Sequence, residues 1–344
     1  MKRVFIALLT FLMTFSLAFS QLSLEDAKKR DQFYNEGIEH IINMNYEEAI
    51  ASFNLCLQID DTDAATYLQR GRTQAALGNI NNALRDIDQA LQHDVDLAEA
   101  YFYKGYFQFS QDGSEEGVNN IQTSIDKGFE TAESYFILGS YQQMNGDDDK
   151  ALLLFDKAIR INDDYALVYH ERAGIKKKLG DFNGALYDYK AAVNYQKDFP
   201  QAYNNMGAVK IVLGDYTSAI EDFTLAIEQD PEMFLAYNNR GYANFQLGNY
   251  DTAFADFSKA IELNPDLMEA VLNISSVYAK KQEFQAALTE LNKVIGLYPE
   301  NGALFLNRGL VKEMLGDVIG ACDDWSTALD LGEAQAEEYV KECN

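Results

Sequence analysis

PQAYNNMGAVKIVLGDYTSAIEDFTLAIEQDPEM, residues 200–233, is followed without a gap by FLAYNNRGYANFQLGNYDTAFADFSKAIELNPDL, residues 234–267. Laid one above the other, the two lines place Tyr203 over Tyr237, Gly207 over Gly241, Ala219 over Ala253, Phe223 over Phe257 and Pro231 over Pro265. Large and small residues recur at helical spacing in each half of a line, so each line reads as two amphipathic helices. Gly214 and Gly248 fall between the halves, where a helix C-cap favours a residue tolerant of positive φ. Pro231 and Pro265 stop the second helix.

The register extends outward in both directions. Nine lines of 34 residues run from Arg30 to Gln335 with no insertion or deletion. The eighth column reads Gly37, Gly71, Gly105, Gly139, Ala173, Gly207, Gly241, Ser275, Gly309, and the twentieth is Ala in every line except for Gly117. Column four is aromatic except for Val271, and column twenty-four is large and apolar throughout, from Phe53 to Trp325. Small residues at fixed places on two helices let their backbones approach to about 8–10 Å while large neighbours fill the grooves.

This pattern resembles the tetratricopeptide repeat. The resemblance implies a right-handed α-solenoid of nine 34-residue helix-turn-helix repeats: 30–63, 64–97, 98–131, 132–165, 166–199, 200–233, 234–267, 268–301 and 302–335. Residues 21–29 form a lead-in, and an amphipathic segment over 333–344 reads as a capping helix that shields the last repeat from water. The third line, with Gly117 and an acidic turn, and the eighth, with Ser275 and Val294, are expected to pack less tightly.

The remaining features concern place and partner. Lys2 and Arg3 precede an apolar run from Val4 to Phe19, the form of a bacterial secretory signal peptide over residues 1–20. The run is short for a bilayer span of about 20 residues, so the expectation is an exported, periplasmic or secreted protein with no membrane insertion after cleavage. The 28 Lys and Arg stand against 54 Asp and Glu, a net charge of −26. Nucleic acid would be repelled and a basic protein or peptide attracted.

No catalytic constellation, cofactor motif or metal site is legible. His40, His93 and His170 stand in three different columns, and no phosphate-binding loop is present. The acidic turn over residues 145–149 lacks the alternating ligands of a calcium loop. The chain therefore reads as a non-enzymatic scaffold or adaptor for protein segments, with a structural accessory subunit of an envelope enzyme or secretion complex as the rival. Cys322 and Cys343 are read as a disulfide that staples the cap, and Cys56 as a small buried residue in column twenty-seven.

Wherever column seven is Arg, column twenty-three is Asp. The pairs Arg70 with Asp86, Arg172 with Asp188, Arg240 with Asp256 and Arg308 with Asp324 are expected to tie the two helices of a repeat. Asp222 faces Met206 instead, which either weakens the rule or leaves that Asp to a neighbouring repeat. The resemblance further implies that first helices line a concave groove. Its candidate binding residues are the aromatics Phe102, Tyr103, Tyr106, Phe109, Phe136, Tyr242 and Phe245, and a row of amides, Asn204, Asn205, Asn238, Asn239, Asn273 and Asn307, able to grip an extended peptide backbone.

Overall fold

The computed structural model describes residues 22–265 and 267–343; the leader assigned to residues 1–20 lies outside them. The described residues form nineteen α-helices and no strand, arranged as the paired helices of a tetratricopeptide-type solenoid. The chain divides into two compact units after Asn162. In the first, α1 (Leu24–Ile42) pairs with α2 (Tyr46–Ile59), α3 (Ala64–Ala76) with α4 (Ile80–His93), α5 (Ala98–Asp112) with α6 (Glu115–Asp126), and α7 (Ala132–Met144) with α8 (Asp148–Ile161).

The second unit continues the scheme. There α9 (Ala166–Lys178) pairs with α10 (Phe182–Tyr195), α11 (Pro200–Val212) with α12 (Tyr216–Gln229), α13 (Phe234–Gln246) with α14 (Tyr250–Leu263), α15 (Met268–Lys280) with α16 (Phe284–Leu297), and α17 (Gly302–Met314) with α18 (Val318–Asp330). A short helix, α19 (Ala336–Glu342), packs on α18.

The small and large columns meet at the middle of each pair. Phe53, Phe155, Phe223 and Phe257 are fully buried, and each ring sits against the column-eight glycine of its own repeat. A Cβ on Gly139 would fall 2.6 Å from the Phe155 ring. Between repeats within each unit, the second helix of one packs on the first helix of the next, as α12 does on α13. The core is thus a row of locally closed clusters.

Three details depart from the sequence reading. The first helix starts at Leu24, inside the supposed lead-in, because Ser23 caps it by accepting from the Asp26 amide and Glu25 and Asp26 suit the positive end of the helix dipole. The cap helix starts at Ala336, three residues later than expected, after a turn at Gly332 with φ 92°.

The third repeat does not pack loosely. Gly117 lets α6 approach so closely that a Cβ there would lie 2.7 Å from the Phe109 amide, and one on Gly105 would lie 2.5 Å from the Gly117 carbonyl oxygen. Gly105→Ala is therefore expected to lose about 1–3 kcal/mol or more through overpacking. Gly174, by contrast, lies within α9 with no atom nearer than 4.0 Å to its Cβ position. Gly174→Ala should gain about 0.5–1 kcal/mol from helix propensity. Urea unfolding checks both, and equal effects would contradict the packing described.

Candidate functional site

Column seven sits one helical turn before a second basic column, and together they build a charged layer inside the repeats. Arg70 Nε and Nη2 donate to the two oxygens of Asp86 at 2.8 and 2.6 Å. The same fork joins Arg172 to Asp188, Arg240 to Asp256 and Arg308 to Asp324. Each guanidinium also lies over the column-four ring of its own helix, Tyr67, Tyr169, Tyr237 or Phe305, at 5.2–5.6 Å from the centroid. Arg70, Arg240 and Arg308 also reach back to the preceding repeat: Arg70 Nη1 donates to Asn54, Arg240 to Thr224 and Arg308 to Asn292.

Asp222, the exception opposite Met206, is met within its own repeat and not by a neighbouring one. Lys210 of the same repeat brings its ammonium to 2.6 Å from Asp222 Oδ2. Lys176 and Lys312, in the same column, approach Asp188 and Asp324 at 2.7 and 2.8 Å. A Lys one turn after column seven covers the same carboxylate, and where Met206 replaces Arg it does so alone. Burial holds the Asp222 carboxyl above its usual range in spite of Lys210.

The first-helix face of the first unit is aromatic. Tyr106 is 41% exposed and Phe109 and Phe136 are half-buried. Tyr103 lies beneath the Arg72 guanidinium, 4.4 Å from its centroid, and burial pushes its hydroxyl pKa up. Arg72 also meets Glu99 at 3.0 Å. Tyr103, Tyr106 and Arg72 wall a recess of about 420 Å³. Phe102 does not line this face. It is buried at 6% exposure because Phe129, in the connector after α6, folds over it at 5.5 Å between ring centroids. Phe129 was missed because it occupies the column that holds Pro in other lines.

In the second unit the amides face one another across repeats. Asn239 Nδ2 donates to Asn204 Oδ1, and Asn273 Nδ2 to Asn238 Oδ1, both at 3.1 Å. Asn205 Nδ2 stands 3.1 Å from His170 Nε2. The position thirty-five residues before Asn307 is Leu272, and Asn307 donates to its own helix at Ala303 O. Asn204, Asn205, Asn238, Asn239 and Asn273 thus each spend one group on joining neighbouring helices and have capacity left, since a carboxamide carries two donors and two acceptor sites. Phe245 packs against Tyr250, and Tyr242 is half-buried beside it. Phe245 also borders a pocket of about 540 Å³ between α13, α15 and α17.

At the C-terminal end a disulfide links Cys322 on α18 to Cys343, with Cα atoms 5.8 Å apart. Trp325 stacks on Tyr339 at 5.0 Å beneath it. Cys56 is a buried free thiol whose pKa is raised by burial, with Sγ 3.1 Å from Thr66 Oγ1. Among the described residues no cluster of three or more His, Cys, Asp or Glu side chains could hold a metal ion, and no helix is long and apolar enough to cross a membrane.

Comparison with known proteins agrees with this architecture. Tetratricopeptide-repeat family models match residues 200–233, 234–267 and 269–301, and a TPR-repeat model matches 175–210. A human relative, small glutamine-rich tetratricopeptide repeat-containing protein beta, is 32% identical over 62 residues, 18% of this chain. The chain spans only 20% of that relative's length. A tetratricopeptide repeat protein from Parabacteroides merdae superposes with a TM-score of 0.53 at 21% identity, over 72% of this chain and 96% of its own. Pseudomonas aeruginosa pilF gives 0.57 at 18% identity, over 65% of this chain and 99% of its own. These structures share the fold, and the family models place tetratricopeptide repeats within residues 175–301.

Proposed function

We propose that the chain is a non-catalytic adaptor or assembly scaffold of the cell envelope or secreted space, holding a segment of another protein against the first-helix faces of its repeats. Tetratricopeptide repeats generally mediate protein–protein interaction. The observation that carries the reading here is Tyr106, an exposed aromatic ring set beside half-buried Tyr103 and Phe109 on the first-helix face. Rigid aromatic anchors of this sort carry a large share of interface energy. The amides of α11, α13 and α15 add unspent donors and acceptors on the corresponding face of the second unit. Export rests on the sequence of residues 1–20, and a disulfide suits an oxidising compartment. The net charge of −26 favours a basic partner at long range, with an association rate that falls as salt rises.

The test begins with the full chain used to capture a partner from the native envelope fraction. With that partner purified, Tyr106→Ala and Phe109→Ala should each weaken binding by about 2 kcal/mol, and substitutions on the second helices should do little. Asn239→Ala should weaken binding and also cost about 1 kcal/mol of stability, because its amide joins two repeats. Binding abolished by second-helix changes and untouched by the aromatics would overturn the proposal.

A further inference from the structure

The eighth repeat breaks the habits of its neighbours in one place. Ser276 and Ala279 are small where the preceding repeat carries Tyr242 and Phe245, and the following one carries Leu310 in the column of Ser276. Small side chains on the middle helix, set between large ones on the helices beside it, open the 540 Å³ pocket. Its walls are apolar, made by Phe245, Phe284, Leu310, Val311 and Met314. A volume of this size lies within the range of about 300–1,000 Å³ that serves specific ligands.

The rim has a definite polarity. Ser275 and Ser276 spend their hydroxyls on carbonyls of their own helix, Val271 O and Leu272 O. Lys281 is engaged by Asp251 and Glu283. Lys280 is exposed at the rim and has no ion-pair partner among the described residues. No carboxylate lines the pocket, although the chain has 54 of them. Gln282, also on the rim, holds φ at 62°, where Gly248 and Gly316 occupy the equivalent turn at 81° and 82°. A left-handed conformation costs a side-chain-bearing residue free energy that glycine does not lose. Met44 holds the same turn at 58° in the first repeat, so what distinguishes Gln282 is that its side-chain amide stands at the pocket.

We propose that this pocket selects the partner segment: it takes one bulky apolar side chain, Leu or Phe in size, flanked within the chain by an acidic residue whose carboxylate meets Lys280 and the Gln282 amide. This deepens the reading of the first-helix face as the binding face and rests on it. The occupant follows from complementarity, since an apolar cavity bounded by an unneutralised cation and by no anion accepts an apolar group carrying negative charge beside it. Overall attraction of a basic partner and local choice of an acidic residue act at different ranges and are compatible.

The test uses the full chain and a panel of acetylated, amidated peptides on one polar scaffold, presenting Phe-Glu, Phe-Lys or Ala-Glu, with binding read by fluorescence anisotropy. Phe-Glu should bind at least tenfold more tightly than either of the others. Lys280→Glu, a surface change that leaves the fold intact, should reverse the preference to Phe-Lys. Ala279→Phe should abolish Phe-Glu binding by filling the cavity. Gln282→Gly should weaken it while leaving the melting temperature unchanged or higher. Flat ranking across the panel, with the native partner still sensitive to Tyr106→Ala, would overturn this inference and leave the first-helix reading standing. A native partner indifferent to every first-helix change would sink the broader reading itself. If Ala279→Phe shifts the sedimentation of the free protein and not peptide binding, a second copy fills the pocket and the proposal is wrong.

Discussion

Asp188→Asn is expected to lower the unfolding free energy of the second unit by about 3–5 kcal/mol, the range found when one partner of a buried ion pair is removed. Asp188 has no exposed surface, accepts both nitrogens of the Arg172 fork, and is met by Lys176 as well. The amide keeps the shape and removes the charge that Arg172 and Lys176 share. Asp86, with one Arg and a side chain 11% exposed, should suffer less from the same change. Replacing all three charged groups, Arg172→Met, Lys176→Met and Asp188→Leu, should recover most of the loss, because the desolvation penalty disappears with the charges. Urea unfolding with a double-mutant cycle on Arg172 and Asp188 reads both quantities. Zero coupling would show that the layer is decorative.

Reducing the Cys322–Cys343 disulfide is expected to destabilise the C-terminal end by about 3 kcal/mol, the chain-entropy value for a closed loop of 21 residues. The effect should be local. Helix α19 has seven residues, too short to persist alone, and it covers Ala336, Tyr339 and Trp325 against α18. After reduction, hydrogen exchange should accelerate in α19 and at the end of α18, while α9 to α14 keep their protection. Cys322→Ser should reproduce this without reductant. Uniform loss of protection through the second unit would mean that the staple holds the whole unit together.

Much of the fold could be read from a single 34-residue period, because tetratricopeptide packing closes within a helix pair and repeats its contacts in register. Arg and Asp sixteen residues apart were legible for the same reason, as both lie inside one line. What escaped lies between columns or between lines. The Lys column was overlooked because Arg172 and Arg308 already supplied partners for Asp188 and Asp324, and only Met206 leaves Lys210 alone with Asp222. The amides looked like a free row, whereas Asn239 and Asn204, thirty-five residues apart, stand side by side across two repeats. Phe102 looked accessible because a column position says nothing of the connector that folds over it. Nor does a column show a cavity: the pocket beside Ala279 exists only through contrast with the repeats on either side.

A partner segment held by this chain should lie on the first-helix faces. Hydrogen exchange followed by mass spectrometry on the complex with the captured native partner tests it most directly. Binding should slow exchange in α3, α5 and α7 of the first unit, or in α11, α13, α15 and α17 of the second, with the paired second helices little changed. Protection confined to α4, α6, α12 and α14 would contradict the account.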